Sequence, residues 1–249
     1  MRNVDQKWLL LLAPDGKKFL VNTIQKKLST HLGELDLENI KGTKIKSNKG
    51  FEFDVLRPSF VDFLYHLKRG PAVILPKDAA QILLNGGIRP GAKIIEIGTG
   101  SGWLSSVLAY FIGQKGKIIS YEKEKRFAEL AKKNFELLGL KNIDLKLEDA
   151  RHANFSKYKN SIDAFIVDLA KPEDMLNSAA MALKQGGYFI AYCPQITQVL
   201  HLAKKLQDSF ILEKVCEIFE RNWVIKDKIA RPQHDALSHT AFLCFARKK

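Results

Sequence analysis

Cysteine is nearly absent, with three in 249 residues: Cys193, Cys216 and Cys244. They stand far apart in apolar surroundings and make neither a disulfide framework nor a Cys-x-x-Cys metal pair. Structural zinc is thereby excluded, and a reducing compartment fits. Long hydrophobic runs are also missing. The longest early run, Trp8–Ala13, is closed by Pro14-Asp15-Gly16 and falls far short of the roughly 20 residues needed to cross a bilayer. It lacks the flanks of a signal peptide, so the chain is expected in the cytoplasm. There is no internal repeat, low-complexity segment or arginine-rich tail. Hydrophobic content of 46% and charged content of 27% are ordinary globular values and exclude a disordered chain. Negative charge is in short supply: 27 Asp+Glu against 40 Lys+Arg give a net charge of +13. That excess, spread along the chain, favours a polyanionic partner through counterion release and long-range steering.

The pattern divides the chain into residues 1–58, a small β domain, 59–76, a helical linker, and 77–249, an α/β domain. Short strands are expected at Trp8–Ala13, Lys18–Val21, Lys44–Lys46 and Phe51–Val55, with Asn48-Lys49-Gly50 as a hairpin turn. Residues 59–68 have helical spacing, with Phe60, Phe63, Leu64 and Leu67 on one face and Arg69-Gly70-Pro71 as the stop. Asp78 is the expected N-cap of a helix over Ala79–Asn85. Strands then alternate with helices: Lys93–Ile97, Lys117–Tyr121, Ile143–Leu147, Ala164–Val167 and Gly187–Cys193, with a clear helix at Glu124–Leu138. Alternation of this kind implies a mostly parallel sheet covered by helices on both faces. Ile211–Phe219 and Thr240–Ala246 have no clear helix between them, and an antiparallel pair at the sheet edge fits.

The chemistry concentrates after the strands. Residues 94–102 read Ile-Ile-Glu-Ile-Gly-Thr-Gly-Ser-Gly, a strand running into Gly98, Gly100 and Gly102, and the next strand ends on Glu122. Glycines permit a tight turn and close backbone approach, and an acid at the tip of the following strand accepts from ribose hydroxyls. The Glu-x-Gly-x-Gly-x-Gly form, with Glu96 inside the strand, is that of S-adenosylmethionine (SAM) methyltransferases. In an open α/β sheet, ligands sit outside the carboxyl ends of the strands, and the third and fourth strands end on Glu148-Asp149 and on Asp168. The expected cofactor site comprises Glu96, Gly98, Thr99, Gly100, Ser101, Gly102, Trp103, Leu104, Glu122, Lys123, Asp149, Ala150 and Asp168. Glu122 would take the ribose and Asp149 the adenine amino group. Asp168 sits where methyl group and acceptor meet, or else caps the next helix. Tyr192 to Gln195, His239 and Thr240 are candidates for the acceptor side, with structural roles equally open. His31 and His66 have no partner identifiable from sequence.

Several longer segments carry a resemblance that covers nearly the entire chain. They are Leu56-Arg-Pro-Ser-Phe60, His66-Leu-Lys-Arg-Gly-Pro71, Pro76-Lys-Asp78, Ser29-Thr-His-Leu-Gly33, the stretch from Ala191 to Gln198, and His239-Thr-Ala-Phe-Leu243 with Phe245-Ala-Arg247. In these the chain resembles the TrmI family of tRNA (adenine-N1)-methyltransferases. The resemblance implies a Rossmann-like SAM-dependent sheet with an antiparallel C-terminal edge strand and a small N-terminal β domain. It further implies a homotetramer that forms N1-methyladenosine at T-loop position 58 of tRNA, with position 57 a further target in archaeal relatives. The family's catalytic aspartate falls on Asp168 of Asp168-Leu-Ala-Lys-Pro172, and its ribose-binding acid on Glu122. Two departures are visible: Leu75 stands where a tyrosine commonly precedes Pro-Lys-Asp, and Glu173 follows Pro172 where tryptophan is usual. The alternatives are a SAM enzyme acting on protein isoaspartyl groups or a small molecule, and a non-catalytic RNA-binding subunit. The glycine loop with Glu122 and Asp168 argues against the last.

Overall fold

The computed structural model describes residues 7–40, 42–70, 73–206, 209–226, 228–234 and 237–249. Contacts divide it into two compact units, with the boundary between Lys68 and Arg69.

The first unit holds β1 (Trp8–Leu12), β2 (Lys18–Asn22), β3 (Lys27–Thr30), β4 (Gly33–Asp36), β5 (Lys44–Lys46), β6 (Glu52–Leu56) and α1 (Phe60–His66). Four strands form an antiparallel sheet in the order β2-β1-β6-β5, and β3–β4 is a separate hairpin. That hairpin was not expected, because Lys27-Leu-Ser-Thr30 is too short and polar to announce a strand. Gly50 takes φ +84° in the turn between β5 and β6, as the Asn-Lys-Gly sequence requires. Leu11, Val21, Leu35 and Phe53 fill the core. Helix α1 begins with a capping box between Ser59 and Asp62. The expected linker helix packs inside this unit: Phe63 meets Trp8 edge-on at 6.0 Å, and Lys18 pairs with Asp62 at 3.2 Å. His66 has partners after all. Its Nδ1 faces the Asp62 carbonyl at 2.7 Å, and its Nε2 accepts from the Leu20 amide at 3.3 Å. His31 meets Asp15 at 2.7 Å. Pro71, expected to close the helix, lies outside the described residues.

The second unit runs α2 (Pro76–Asn85), β7 (Lys93–Ile97), α3 (Trp103–Ile112), β8 (Lys117–Glu122), α4 (Lys125–Leu137), β9 (Ile143–Leu147), β10 (Ile162–Val167), α5 (Leu176–Ala182), β11 (Leu183–Cys193), α6 (Ile196–Lys205), β12 (Phe210–Cys216), β13 (Trp223–Lys226), β14 (Ile229–Pro232) and β15 (Phe242–Lys248). Seven strands make one sheet in the order β12-β15-β11-β10-β7-β8-β9, and β13–β14 form a hairpin apart from it. The five strands from β11 to β9 are parallel, and β15 runs antiparallel between β11 and β12. Alternation sorts each central strand into two layers. Ile95 and Ile97 join Phe165, Phe189, Ala179 and Leu202 on one face; Ile94 joins Ile82, Leu108, Ile112 and Ile166 on the other.

Because β8 and β9 lie to one side of β7 while β10 and β11 lie to the other, the strand order reverses between β7 and β10. A reversal opens a crevice at the strand ends, the place where ligands bind in open α/β sheets. Two local expectations need correction. Helix α2 starts at Pro76 with Leu75 as its N-cap, and Asp78 turns inward to bonds described below. The helix proposed from Glu124 is capped by Glu124 and ends at Leu137, with Leu138 as C-cap and Gly139 beyond it at φ +63°.

Phe165, fully buried on β10, lies 5.6 Å from the Phe155 ring and stacks on Phe189 at 6.3 Å. Truncating such a side chain removes its transfer energy and leaves a cavity. Phe165→Ala should therefore destabilise the protein by about 3–5 kcal/mol, read from the denaturant midpoint. A loss below about 1 kcal/mol would show that this layer refills the space.

Candidate functional site

The loop after β7 is built around positive-φ glycines: Gly98 at +92°, Gly100 at +56° and Gly102 at +76°. Each has its own reason. A Cβ on Gly98 would lie 2.5 Å from the backbone oxygen of Asp168, and one on Gly102 would lie 2.5 Å from the Phe135 ring. At Gly100 an added Cβ meets nothing within 4 Å, so its absence leaves bare backbone facing a pocket. Amides of Gly98 and Thr99 both donate to the Tyr121 carbonyl, at 3.0 and 3.1 Å, which ties the loop to β8. Glu122 completes the tie. Its carboxylate accepts from the Gly100 amide at 2.8 Å and from the Glu124 amide at 2.9 Å.

Behind the loop lies a buried polar cluster. Glu96 alternates onto the face of β7 that meets α3 and accepts from the hydroxyls of Ser105 and of Ser120, the latter at 2.6 Å. Thr99 bonds Ser120 at 2.6 Å. Burial raises the Glu96 carboxyl to about 7, opposed by the two serine hydroxyls and reinforced by Asp168 and Glu122. Asp168, whose amide donates to the Ile97 carbonyl at 2.9 Å, is raised to about 6 by burial and then by Glu122. Both folded pKa values lie above the ordinary carboxyl values. The stability these groups contribute is therefore present in acid and lost as pH rises through about 6 and about 7.

Two pockets open at the strand ends. The first is lined by Gly98, Gly100, Ser101, Glu122, Lys123, Asp149, Ala150 and Asp168, all expected from the sequence. Gly70, Phe127 and Leu169 also line it and were missed: Gly70 and Leu169 lie in quoted segments but were given no role there, and Phe127 comes from helix α4, away from any strand tip. Glu96, Thr99, Gly102, Trp103 and Leu104 do not line this pocket. They are buried behind it and shape the loop from within. Asp149 is gripped by Arg151, with Nε at 3.0 Å and Nη2 at 2.5 Å, which holds its carboxyl well below the usual range.

The second pocket is lined by Val73, Ile74, Leu75, Asp168, Tyr192, Pro194, Leu237, His239 and Thr240. Tyr192, His239 and Thr240, the acceptor-side candidates, thus line one pocket together. Gln195 does not line the pocket: it caps α6, bonded through its backbone amide to Gln198 at 2.9 Å. His239 is held from both sides, by the Pro194 carbonyl at 2.9 Å and Glu217 at 2.8 Å. Two acceptors on one imidazole favour its doubly protonated form, so its pKa lies above the ordinary histidine value. Asp168 is common to both pockets, and among the described residues no side chain or amide donates to its carboxylate. The reading of Asp168 as a helix cap finds no such bond.

No group of three or more His, Cys, Asp or Glu suited to a metal ion occurs among the described residues. No described helix is long and apolar enough to cross a membrane.

The TrmI methyltransferase of Methanocaldococcus jannaschii, named for adenines 57 and 58 of tRNA, is 32% identical over 96% of this chain and 94% of its own. The TrmI of Thermus thermophilus, named for adenine 58, is 34% identical over 85% of this chain and 83% of its own. Among solved structures, TrmI of Aquifex aeolicus superposes with a TM-score of 0.84 at 28% identity, covering 97% of this chain and 96% of that one. A Thermotoga maritima structure described as a SAM-dependent O-methyltransferase gives 0.88 at 34% identity, covering 98% and 93%. The family described as tRNA methyltransferase complex GCD14 subunit matches residues 63–230. With that match spanning most of the chain, and with such relatives along its length, the protein belongs to the GCD14/TrmI family of SAM-dependent tRNA methyltransferases.

Proposed function

We propose that this chain transfers the methyl group of SAM to N1 of adenosine 58 in the T-loop of tRNA, with Asp168 as its catalytic residue. One observation carries the assignment within the site: Asp168 is the residue shared by the pocket of the glycine loop and the pocket of Tyr192, His239 and Thr240.

The first pocket suits SAM. Bare backbone at Gly100 gives room for close approach, and the carboxylates suit a ligand with ribose hydroxyls, an amino donor and a cationic sulfur. Glu122 keeps lone pairs beyond those taken by the two amides and holds the ribose. Asp149, oriented by Arg151, takes the adenine amino group, with Ala150 beside it. Bound there, SAM supplies an electrophilic methyl group.

In the second pocket Asp168 accepts a hydrogen bond from the exocyclic amino group of the target adenine. It thereby pushes electron density toward N1 and faces the positive charge that develops on the base. This is positioning and electrostatic stabilisation, without a covalent intermediate. The base must be turned out of the folded T-loop at a cost of a few kcal/mol. Contacts from the basic surface to backbone phosphates offset that cost. Position 57, included in the name of the M. jannaschii relative, belongs in the same assay.

The Thermotoga neighbour's description favours O-methylation as a second reading. Methyl transfer from labelled SAM to tRNA, with a protein extract as rival acceptor, separates the two. On the family resemblance we also propose cytoplasmic localisation and a homotetramer. Sedimentation equilibrium at micromolar concentration should then give four times 28.2 kDa, and a single-chain mass would contradict it.

Glu122→Ala should weaken SAM binding by about 1–3 kcal/mol, the cost of a lost charge-assisted partner. Unchanged affinity in a calorimetric titration removes Glu122 from the site.

Asp168→Ala leaves the glycine loop and Glu122 in place, so SAM and tRNA binding should survive. Single-turnover methyl transfer should fall by about 10²–10³. Asp168→Asn should fall nearly as far, because the amide keeps an oxygen and loses the charge. The carboxylate form is the active one, so wild-type rate should drop as pH falls through about 6. That limb should be missing from the residual rate of the Asn variant. Near-wild-type turnover in both variants sends the search to His239 and the segment from Tyr192 to Gln195.

A further inference from the structure

Beneath the second pocket lies a polar knot that the functional assignment does not use. Lys77, in the first turn of α2, has a side chain only 7% exposed, and that of Asp78 is fully buried. The Lys77 ammonium donates to the Asp78 carboxylate at 2.9 Å, the Ile218 carbonyl at 2.8 Å and the Thr240 hydroxyl oxygen at 2.6 Å. Thr240 in turn donates to the other Asp78 oxygen at 2.8 Å. All three ammonium hydrogens are thus engaged inside the protein, and none is left for a ligand.

The knot joins two sides of the pocket wall. Val73, Ile74 and Leu75 line one side, Leu237, His239 and Thr240 another, and neither stretch belongs to a helix or strand. Such segments need anchors of another kind. The Asp78 and Ala79 amides hold the Leu75 carbonyl at 3.0 and 2.9 Å, which fixes the first side to the start of α2. Thr240 fixes the second side to the same place, 163 residues away from Lys77 in the chain. The bond to the Ile218 carbonyl steadies the neighbouring Glu217, whose carboxylate meets His239 Nδ1 at 2.8 Å. A buried ion pair is a poor source of stability, since apolar residues of similar volume hold a fold as well or better. What it supplies is direction, because each hydrogen bond fixes an angle as well as a distance.

We propose that Lys77 and Asp78 are positioning residues for methyl transfer: their ion pair clamps the Leu75 side of the second pocket to the His239–Thr240 side and so sets where the target base stands relative to Asp168. Neither residue touches the reacting atoms. Asp168 follows the tip of β10 on the sheet, so the clamp decides the distance and angle at which the base meets it. Rate depends steeply on that placement: a displacement of about 1 Å can cost about 10²-fold. This inference rests on the assignment of the second pocket to the target adenine.

The test separates the clamp from mere stability. In Lys77→Met/Asp78→Leu both charges go together and apolar residues of similar size replace them. No lone charge stays buried, and the variant should melt close to wild type. SAM affinity belongs to the other pocket, and tRNA affinity is dominated by backbone phosphates, so each should stay within about threefold. Single-turnover methyl transfer to a tRNA transcript, at saturating SAM and tRNA, should nevertheless fall by about 10²-fold. Thr240→Val severs one arm of the clamp and should lose about tenfold, whereas Thr240→Ser should stay within about threefold of wild type. Adding Thr240→Val to the double variant should cost nothing more, because its partners are already gone. Wild-type turnover in the folded double variant overturns the proposal. So does a triple variant in which the two losses multiply, since Thr240 then acts without the clamp. Should the double variant fail to fold, Thr240→Val decides alone: a loss that serine restores supports the clamp, and wild-type turnover overturns it. If wild type transfers no methyl group to the transcript, the functional assignment itself falls and takes this inference with it.

Discussion

The backbone contact between β7 and β10 at the sheet's reversal point governs the rest of the second unit. The Asp168 amide donates to the Ile97 carbonyl at 2.9 Å, and the Asp168 carbonyl sits where any Cβ on Gly98 would be. Two strand ends can come that close only through glycine. The same glycine and its neighbour hand their amides to Tyr121, so the tips of β8, β7 and β10 are tied at one point. From that point Asp168 projects between two pockets. Had the strands ended farther apart, one carboxylate could not have belonged to both.

Carboxylates are gathered at this junction against their own electrostatic preference. Burial raises the proton affinity of Glu96 and of Asp168; the charge of Glu122 adds to both, and that of Asp168 adds to Glu96. The fold tolerates Glu96 because two serine hydroxyls solvate it, and Glu122 because two backbone amides do. Asp168 has no such support among the described residues. An acid left unsolvated in a pocket wall is primed to accept a hydrogen from whatever arrives there. The strain lies where a ligand can relieve it.

How much was legible beforehand follows the range of the interactions. The five strands from β7 to β11, the glycine loop and the acids at the strand tips were visible because periodicity and turn chemistry are local, although β10 and β11 begin at Ile162 and Leu183, ahead of the expected Ala164 and Gly187. The long antiparallel β15 was visible for the same reason. Glu96 was legible as part of the motif, yet its role was hidden. Alternation aims it at Ser105, nine residues on and on another element, and no motif states that contact. Asp78 was misread as a cap because a first-turn aspartate ordinarily serves its own helix. Here a lysine beside it and a threonine 162 residues away compete successfully for the carboxylate. The hairpins β3–β4 and β13–β14 escaped because their strands have four residues each, too few to show a period.

Position in the chain also dictates an order of assembly. Every strand tip and loop of the first pocket from Gly98 to Asp168 comes from one continuous stretch of βαβ units. The second pocket cannot close until β15 has slotted between β11 and β12 and brought Thr240 to Lys77, 163 residues upstream. Contacts of short separation form early, whereas closing so long a loop is entropically slow. The pocket of the glycine loop thus draws on contacts of shorter separation than the pocket of Tyr192, His239 and Thr240. With the proposed roles, a folding chain acquires a place for its methyl donor before it has anywhere to put the methyl acceptor.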